Sequence, residues 1–284
     1  MSGDWKKHTP GWSPVSEQRG AAAILMYHHV AHEAPAEFRK YSVSPAAFAA
    51  QMRLLRLLRY RVVGLDTCIN ARKAGTRLPR RTAVITFDDG FADTVHFAVP
   101  VLHALGFTAT FFIVAGRVGG RSDWLEEPMA QYRLIDSESI RSLHRSGFLI
   151  GAHSMTHRRL TRMPRRDCAR ELMESRLKLE DITGSSPAHM AYPFGDYDAD
   201  VRALAAEAGY ESACSVRIGR SRPSDDQLAL HRIPVSGADT LLDFAARLGT
   251  GRALRESAAG AVRRALGLGT DTTGASVRAP GVRS

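Results

Sequence analysis

The chain has 284 residues, of which 44% are hydrophobic, so it is long enough to bury the core of one α/β barrel. Its net charge of +10 favours an acidic partner or an anionic surface, although the 7% share of aromatic residues offers no platform for stacking nucleic-acid bases. The three cysteines are far apart and lack a CxxC pair, which excludes a disulfide framework and a cysteine zinc site.

The predicted elements begin after a polar N-terminal arm, residues 1–20, that is rich in Gly, Pro and Ser. An apolar strand over 22–27 comes first, and a helix that Ser44 caps follows near 44–59. From there on, strands and helices alternate. The predicted strands are 81–87, 107–114, 148–152, 188–193 and 210–216, and the helices between them are 91–106, 137–147, 165–184 and 198–209.

Strands that are apolar throughout and alternate with helices indicate a parallel sheet that is covered on both faces or closed into a barrel. A count of about seven such units favours the barrel over an open sheet. In barrels of this kind the chemistry lies at the C-terminal ends of the strands. Polar residues at those ends are therefore the candidate functional residues.

Four strand ends carry residues that a metal ion or a proton can use. Taken alone, the DDG sequence at 88–90 is also a common turn, and HSMTH at 153–157 is also typical of a capped helix N-terminus. Their joint occurrence at strand ends favours a site. The residues at these ends are Tyr27, His28 and His29; Asp88 and Asp89; His153, Ser154 and His157; and Phe194, Gly195 and Asp196.

The spacing of these residues predicts hydrolytic chemistry. His153 and His157 are four residues apart, which on a helical turn places both imidazoles on one side, where they can bind one metal ion. One carboxylate from another strand end would complete three ligands, and a neighbouring carboxylate would act as general base on an attacking water. A histidine opposite that base would protonate a leaving amine. Because strand side chains alternate in direction, only one of His28 and His29 faces such a site.

The motifs TFDDG (86–90), HSMTH (153–157) and YPFG (192–195), in that order, resemble those of the polysaccharide deacetylases, the NodB-homology or carbohydrate esterase family 4 enzymes. The resemblance covers residues 22–237. It implies a distorted (β/α)7 barrel of the NodB type and metal-dependent removal of N-acetyl, or sometimes O-acetyl, groups from sugars.

The resemblance also implies a role for each residue at the strand ends. Asp88 would be the catalytic base, and Asp89, His153 and His157 would be the metal ligands, with Zn²⁺ as the expected ion. One subgroup of the family opens with Tyr-His on its first strand, and this chain resembles that subgroup. The catalytic acid would then be His28, with His29 supporting the loop.

The implied substrate contacts come from two segments. Tyr192, Pro193, Phe194 and Gly195 would line the substrate groove, with a backbone N–H near Phe194 stabilising the oxyanion. Trp124, in the sequence SDWL, would stack on a sugar ring, and anchoring of its own loop is the alternative.

The chain departs from the family pattern at two positions. Family members usually carry an arginine where this chain has Ala191, and that arginine orients the base. Arg232 is the candidate base-orienting substitute, and an ordinary surface arginine is the alternative. The usual C-terminal acid motif is also unclear, because His231 precedes RIPV in a different context.

We predict a deacetylase domain over 21–237, a basic helical segment over 238–269 and a disordered tail over 270–284. The basic segment suits either an amphipathic helix at a membrane surface or a helix that caps the barrel. No apolar region follows the N-terminal lysines and no apolar stretch reaches about 18 residues, so we expect a cytoplasmic protein with peripheral membrane contact as a further hypothesis. The arginines of the segment are Arg247, Arg252, Arg255, Arg263 and Arg264.

The leading hypothesis is a metal-dependent N-deacetylase that acts on an N-acetylated glycan or a lipid-linked glycan precursor. One alternative is a deacylase of small amides or esters. Another is a carbohydrate-binding barrel with a degenerate site, which is suggested by Ala191 in place of the usual arginine. No nucleic-acid partner is expected in any of the three.

Overall fold

The structure, a computed structural model, describes residues 20–252 of the chain. Strands and helices alternate along most of these residues. The strands are β1 (Ala23–Tyr27), β2 (His29–Val30), β3 (Ser42–Val43), β4 (Arg61–Val62), β5 (Thr82–Phe87), β6 (Thr110–Ile113), β7 (Leu149–Ala152), β8 (His189–Ala191), β9 (Ser212–Ile218) and β10 (Leu230–Pro234). The helices are α1 (Pro45–Leu57), α2 (Leu65–Lys73), α3 (Ala92–Leu105), α4 (Ser137–Arg145), α5 (Arg165–Thr183), α6 (Ala199–Glu207) and α7 (Leu241–Thr250).

Seven parallel strands close into a barrel. β1 pairs with β5 along one edge and with β10 along the other, and β5 to β10 pair with one another in chain order. β4 pairs with the first residues of β5 and β6 with its last residues, so the short β4 extends the barrel wall without entering the ring. The two-residue strands β2 and β3 form a separate pair. The (β/α)7 barrel that the sequence predicts is therefore confirmed.

Alternate strand residues point into the barrel and out toward the helices. Ile24 and Phe112 belong to the inner set, whereas Leu25 and Phe111 belong to the larger core between the strands and the helices. α2 also packs on the inner set, and it follows β4, which pairs with the start of β5. It therefore closes the N-terminal end of the barrel and leaves the C-terminal mouth to polar residues.

α7 packs on the outside of the barrel through the fully buried Phe244 and Leu248. Arg247, one of the arginines of the predicted basic segment, is itself buried and donates to both carboxylate oxygens of Asp239. No helix within residues 20–252 is both long and apolar enough to cross a membrane. The arm up to residue 19, the segment beyond 252 with Arg255, Arg263 and Arg264, and the tail over 270–284 lie outside the described residues.

Candidate active site

Two buried aspartates stand where β5 ends. The alternation of β5 directs Val84 and Thr86 into the barrel, and Asp88 continues in the same direction. Asp89 adopts a φ of 73° and Gly90 a φ of 80°, so the chain turns sharply at this point. Aspartate is one of the residues that accept this left-handed conformation most readily. The turn keeps both carboxylates at the C-terminal mouth of the barrel.

Two histidines that follow β7 meet the second aspartate. Nε2 of His153 lies 3.3 Å, and Nε2 of His157 3.1 Å, from Oδ1 of Asp89. Nδ1 of His153 donates to the Ala191 carbonyl oxygen at 2.7 Å, which fixes that ring with Nε2 toward the aspartate. One ligand atom from each of the three residues lies within 4.8 Å of the others. The structure thus brings together Asp89, His153 and His157.

A loop, and not the predicted helical turn, produces this arrangement. Ser154 and His157 adopt φ values of 60° and 58°, and the segment after β7 has no helical residues before 160. The Ser154 hydroxyl oxygen accepts from the His157 backbone N–H at 3.0 Å and closes the loop on itself. The imidazoles of His153 and His157 end with their centroids 4.9 Å apart. The two histidines lie together, as their spacing predicts, but the predicted helical geometry was wrong.

The three residues fit a bound metal ion. Oδ1 of Asp89 is buried and has no hydrogen-bond partner among the described residues, because neither imidazole contact has hydrogen-bond geometry. A buried acceptor without a donor is costly in a protein, and a cation satisfies it. Two imidazole nitrogens and one carboxylate oxygen form a ligand set that zinc and similar divalent ions bind, with positions left for water and substrate.

The pKa of Asp89 agrees with that role. Burial alone would raise the pKa of Asp89, but the facing nitrogens of His153 and His157 outweigh burial and hold it well below its ordinary value. Burial alone would lower the pKa of His153, yet Asp89 and Asp88 together raise it. The carboxylate is therefore ionised and available as a ligand at neutral pH.

Arg232 holds the other aspartate in a fork. Its Nη1 and Nη2 each donate to one carboxylate oxygen of Asp88 at 2.7 Å, and its guanidinium is 0% exposed. Burial alone would raise the pKa of Asp88, but the charge and hydrogen bonds of Arg232, together with His153 and His28, outweigh burial and lower it. Arg232 therefore makes the contact expected of the base-orienting arginine that is absent at Ala191.

An irregularity in the pairing of β9 with β10 places Arg232. The pairing of β10 with β9 shifts between Leu230 and Arg232, where two residues of β10 span four residues of β9. The shift leaves the Ser215 carbonyl oxygen to accept from Nε of Arg232 at 2.9 Å. The Thr86 hydroxyl oxygen lies 3.3 Å from Nη1. All three guanidinium nitrogens of Arg232 thus donate hydrogen bonds.

The alternation of β1 separates His28 from His29. His28 is 19% exposed, its Nε2 lies 4.0 Å from Oδ2 of Asp88, and burial lowers its pKa although both aspartates oppose that effect. His29 is buried on the other side, with Nδ1 3.0 Å from the Ser42 hydroxyl and its ring stacked on Tyr132 at 4.6 Å. His28 is therefore the histidine that faces the aspartates, and His29 supports the loop.

The predicted substrate contacts divide into outer-core and mouth residues. Tyr192 is fully buried in the outer core, and its hydroxyl donates to the Leu228 carbonyl oxygen, so its side chain cannot line a groove as predicted. The reason is alternation, because β8 directs Ala191 inward and Tyr192 outward. Pro193 is also buried. Gly195 has a φ of 64°, and a Cβ there would overlap Val216.

Phe194 and Trp124 lie on either side of His157. The Phe194 ring meets the His157 ring edge-on at 4.6 Å, and the Arg159 guanidinium covers the Phe194 ring at 4.5 Å. The Trp124 indole stacks on the His157 ring at 4.6 Å and is only 8% exposed. One face of Trp124 is therefore occupied by a candidate metal ligand instead of standing free for a sugar.

Glu171 on α5 is the site residue that the sequence analysis missed. It is buried, and its carboxylate accepts the backbone N–H groups of Met155 and Thr156 in the histidine loop. Its sequence signal is an acidic residue on the buried stripe of a helix, beside Cys168 and Leu172. Because acidic side chains are rarely buried without a specific partner, the sequence could have indicated that Glu171 has a buried partner, but not which residues that partner comprises.

Comparison of the sequence with known proteins identifies one family. The family model Polysaccharide deacetylase matches residues 75–213, which include the aspartates and the histidine loop but neither His28 nor Arg232. YxkH, a polysaccharide deacetylase homologue of Bacillus subtilis (strain 168), is 24% identical over 228 residues, which are 80% of this chain and 76% of YxkH. Chitin deacetylase 1 of Cryptococcus neoformans var. grubii is 27% identical over 125 residues, 44% of this chain and 23% of that protein.

Two solved structures share the fold. The Streptococcus pyogenes deacetylase PplD, in complex with acetate, matches with a TM-score of 0.71 at 20% identity, over 82% of this chain and 99% of PplD. BC0361, a polysaccharide deacetylase from Bacillus cereus, matches with a TM-score of 0.69 at 24% identity, over 81% of this chain and 69% of that chain. Residues 75–213 therefore match the polysaccharide deacetylase family, the NodB-homology or carbohydrate esterase family 4 enzymes, whose members are hydrolases of non-peptide carbon–nitrogen bonds.

Proposed function

We propose that the protein is a metal-dependent N-deacetylase that releases acetate from an N-acetylated sugar in a glycan or a lipid-linked glycan, with Zn²⁺ as its ion. One observation carries the proposal. A buried carboxylate that an arginine fork keeps ionised, Asp88, lies directly beside a second carboxylate whose Oδ1 faces two imidazole nitrogens. A general base next to a divalent ion is the arrangement that hydrolytic attack on an amide requires.

Each residue of the mouth has a role in this proposal. Asp89, His153 and His157 would hold the ion, which when bound polarises the acetyl carbonyl and makes water more acidic. Asp88 takes the proton of the attacking water. The hydrogen bonds from Arg232 occupy one acceptor position on each carboxylate oxygen of Asp88. Because a carboxylate has about four acceptor positions, some remain for the water.

His28 is proposed to donate a proton to the leaving nitrogen. The water oxygen bonds to the acetyl carbon, and the carbon–nitrogen bond breaks as the nitrogen takes a proton from His28. The products are a free amine and acetic acid, which loses its proton to become acetate, and the proton held by Asp88 returns to His28. Burial lowers the pKa of His28, whereas the charges of Asp89 and Asp88 favour the protonated ring that a general acid requires. A backbone N–H near Phe194 is proposed to stabilise the oxyanion of the acetyl group.

The substrate class is proposed from the relatives and from the sequence. The Cryptococcus relative is named for chitin, and the Bacillus cereus structure is named for polysaccharides. The cytoplasmic location and the peripheral membrane contact expected from the sequence remain parts of the proposal. The fork from Arg232 argues against a degenerate binding barrel, since that hypothesis depended on the missing arginine at Ala191.

Acetate release from a panel of substrates tests the proposal. Zinc-loaded protein is incubated with N-acetylglucosamine oligomers, with an N-acetylated glycolipid and with small acetamides, beside the D88N variant as the inactive control. We expect acetate from the glycan or the glycolipid and none from D88N. Release from small acetamides alone would replace the glycan with the small-amide alternative, and glycan binding without acetate would favour the non-catalytic barrel.

A further inference from the structure

A buried carboxylate, that of Glu171, holds one side of the loop that carries both candidate histidine ligands. Glu171 is 8% exposed, and its Oε2 accepts the backbone N–H groups of Met155 and Thr156 at 2.9 and 3.0 Å. Its Oε1 accepts the Thr156 hydroxyl at 2.6 Å. Both carboxylate oxygens of one residue on α5 are thus committed to the two residues that precede His157.

The opposite side of the loop is held by backbone. The N–H groups of Ala115 and Gly116 donate to the carbonyl oxygens of Ser154 and Met155 at 3.0 and 2.9 Å. A Cβ at Gly116 would overlap the Met155 carbonyl oxygen, so only glycine allows this approach. The loop is clamped between Glu171 on one side and the segment after β6 on the other.

The loop needs such a clamp, because regular structure does not hold it. Ser154 and His157 both lie in the left-handed region, which costs each of them about 1–2 kcal/mol relative to ordinary backbone. The clamp supplies partners for the loop's N–H and carbonyl groups, which no helix or strand would otherwise provide.

The ring of His157 depends on this backbone more than the ring of His153 does. Nδ1 of His153 donates to the Ala191 carbonyl oxygen, but Nδ1 of His157 is buried without a hydrogen-bond partner among the described residues. Metal-binding histidines usually take their orientation from a bond at the second nitrogen. The His157 ring instead contacts Trp124 and Phe194, and such ring contacts do not fix the direction of Nε2 as a hydrogen bond would. The direction of Nε2 therefore depends on the position of the loop backbone.

We propose that Glu171 is a positioning residue that sets the direction of His157 through the loop backbone and thereby sets the affinity of the site for its metal ion. The proposal rests on the proposed function, because it assumes that Asp89, His153 and His157 bind the ion. Loss of both acceptor oxygens frees the loop at Met155 and Thr156, and loss of an outer partner of a metal ligand typically weakens metal binding about 10- to 100-fold.

Zinc affinity, measured by competition with a chromophoric chelator at neutral pH, tests the proposal without reference to activity. E171M keeps the length of the side chain and removes both acceptors. E171Q keeps an acceptor for the two N–H groups and can donate its amide to the Thr156 hydroxyl oxygen, so it is the conservative variant. D243N is the matched control, because Asp243 is a buried carboxylate that accepts a backbone N–H and a threonine hydroxyl in the capping box of α7, on the outside of the barrel.

We expect E171M to bind zinc about 10- to 100-fold more weakly than wild type, and E171Q to lie between the two. G116A, which displaces the loop from the other side, should weaken zinc binding as well and provides the test if E171M does not fold. D243N should lose stability but keep the wild-type zinc affinity. If E171M or G116A binds zinc as tightly as D243N does, the positioning role is wrong. If the wild type itself binds no zinc, the proposed metal site is wrong instead.

Discussion

Removal of Arg232 is the perturbation whose effect the structure specifies most fully. R232M keeps much of the side-chain volume and removes both 2.7 Å bonds to Asp88, which is only 2% exposed. Breaking a buried ion pair from one side costs about 3–5 kcal/mol, because the remaining charge is left unpaired. We expect the free energy of unfolding, measured in urea on the metal-free protein, to fall by about that amount.

The pH dependence of R232M has a definite sign. In the wild type the pKa of Asp88 is depressed, so the stability it contributes is present at neutral pH and is lost as the pH falls through the folded-state pKa. Without Arg232, the largest effect that lowers the pKa of Asp88 is removed, so burial raises that pKa. The acid limb of the pH profile of kcat/KM should therefore move to higher pH, since Asp88 acts as a base only when ionised.

R247M provides the matched control for this experiment. Arg247 is also buried, and it also forms a forked pair with an aspartate, Asp239, but on α7 outside the barrel. We expect R247M to lose stability while the acid limb stays at its wild-type position. The reasoning is refuted if R232M keeps the wild-type acid limb and loses less than about 1 kcal/mol, the usual value for an exposed pair.

Three further substitutions test separate assignments. H28Q should lower kcat for an N-acetylated glycan about 10²- to 10⁴-fold, the usual contribution of a general acid, and should leave zinc affinity unchanged; wild-type kcat would exclude His28 as the acid. H29Q should instead lower stability, by about 1 kcal/mol for each hydrogen bond it fails to replace, and keep most of the kcat measured in the same assay. Y192F should cost about 1 kcal/mol in urea unfolding, because it removes the bond to the Leu228 carbonyl oxygen, with KM unchanged; a raised KM would restore Tyr192 as a substrate contact.

The sequence predicts the barrel strands well because their patterns are local. Apolar runs bounded by turn residues place β1 and β5 to β9 within a few residues of their positions, and the polar residues at their ends identify the mouth. β4, β10 and α2 were not predicted. In β10 the polar residues His231 and Arg232 interrupt the apolar run. β4 has only two residues, and α2 contributes just three buried side chains, too few for a clear helical period.

Alternation explains both a success and an error at the strand ends. It requires that only one of His28 and His29 face the mouth, and the structure directs His28 inward. The same rule places Tyr192 in the outer core, but the motif YPFG was assigned to the groove as a whole from the resemblance. A motif identifies a segment, whereas the direction of each side chain depends on the register of β8 in the barrel.

The contacts of Arg232 and Glu171 could not be predicted because they span long distances in sequence. Asp88 and Arg232 are 144 residues apart, and they meet only because β10 and β5 both flank β1 in the closed barrel. Glu171 reaches a loop 15 residues earlier, which has an irregular conformation that its sequence does not specify. The four-residue spacing of His153 and His157 predicted that their rings would lie together, but for an incorrect reason, since an irregular loop and not a helical turn joins them.

Zinc titration of the metal-free protein is the most direct test of the central claim, that Asp89, His153 and His157 hold the ion used by Asp88 and His28. Bound zinc and acetate release from an N-acetylglucosamine oligomer are measured in the same samples of wild type and D89N. We predict that wild-type acetate release rises in proportion to bound zinc and saturates with it, and that D89N retains neither. Acetate release that is independent of bound zinc, or zinc retained by D89N as by wild type, would contradict the account.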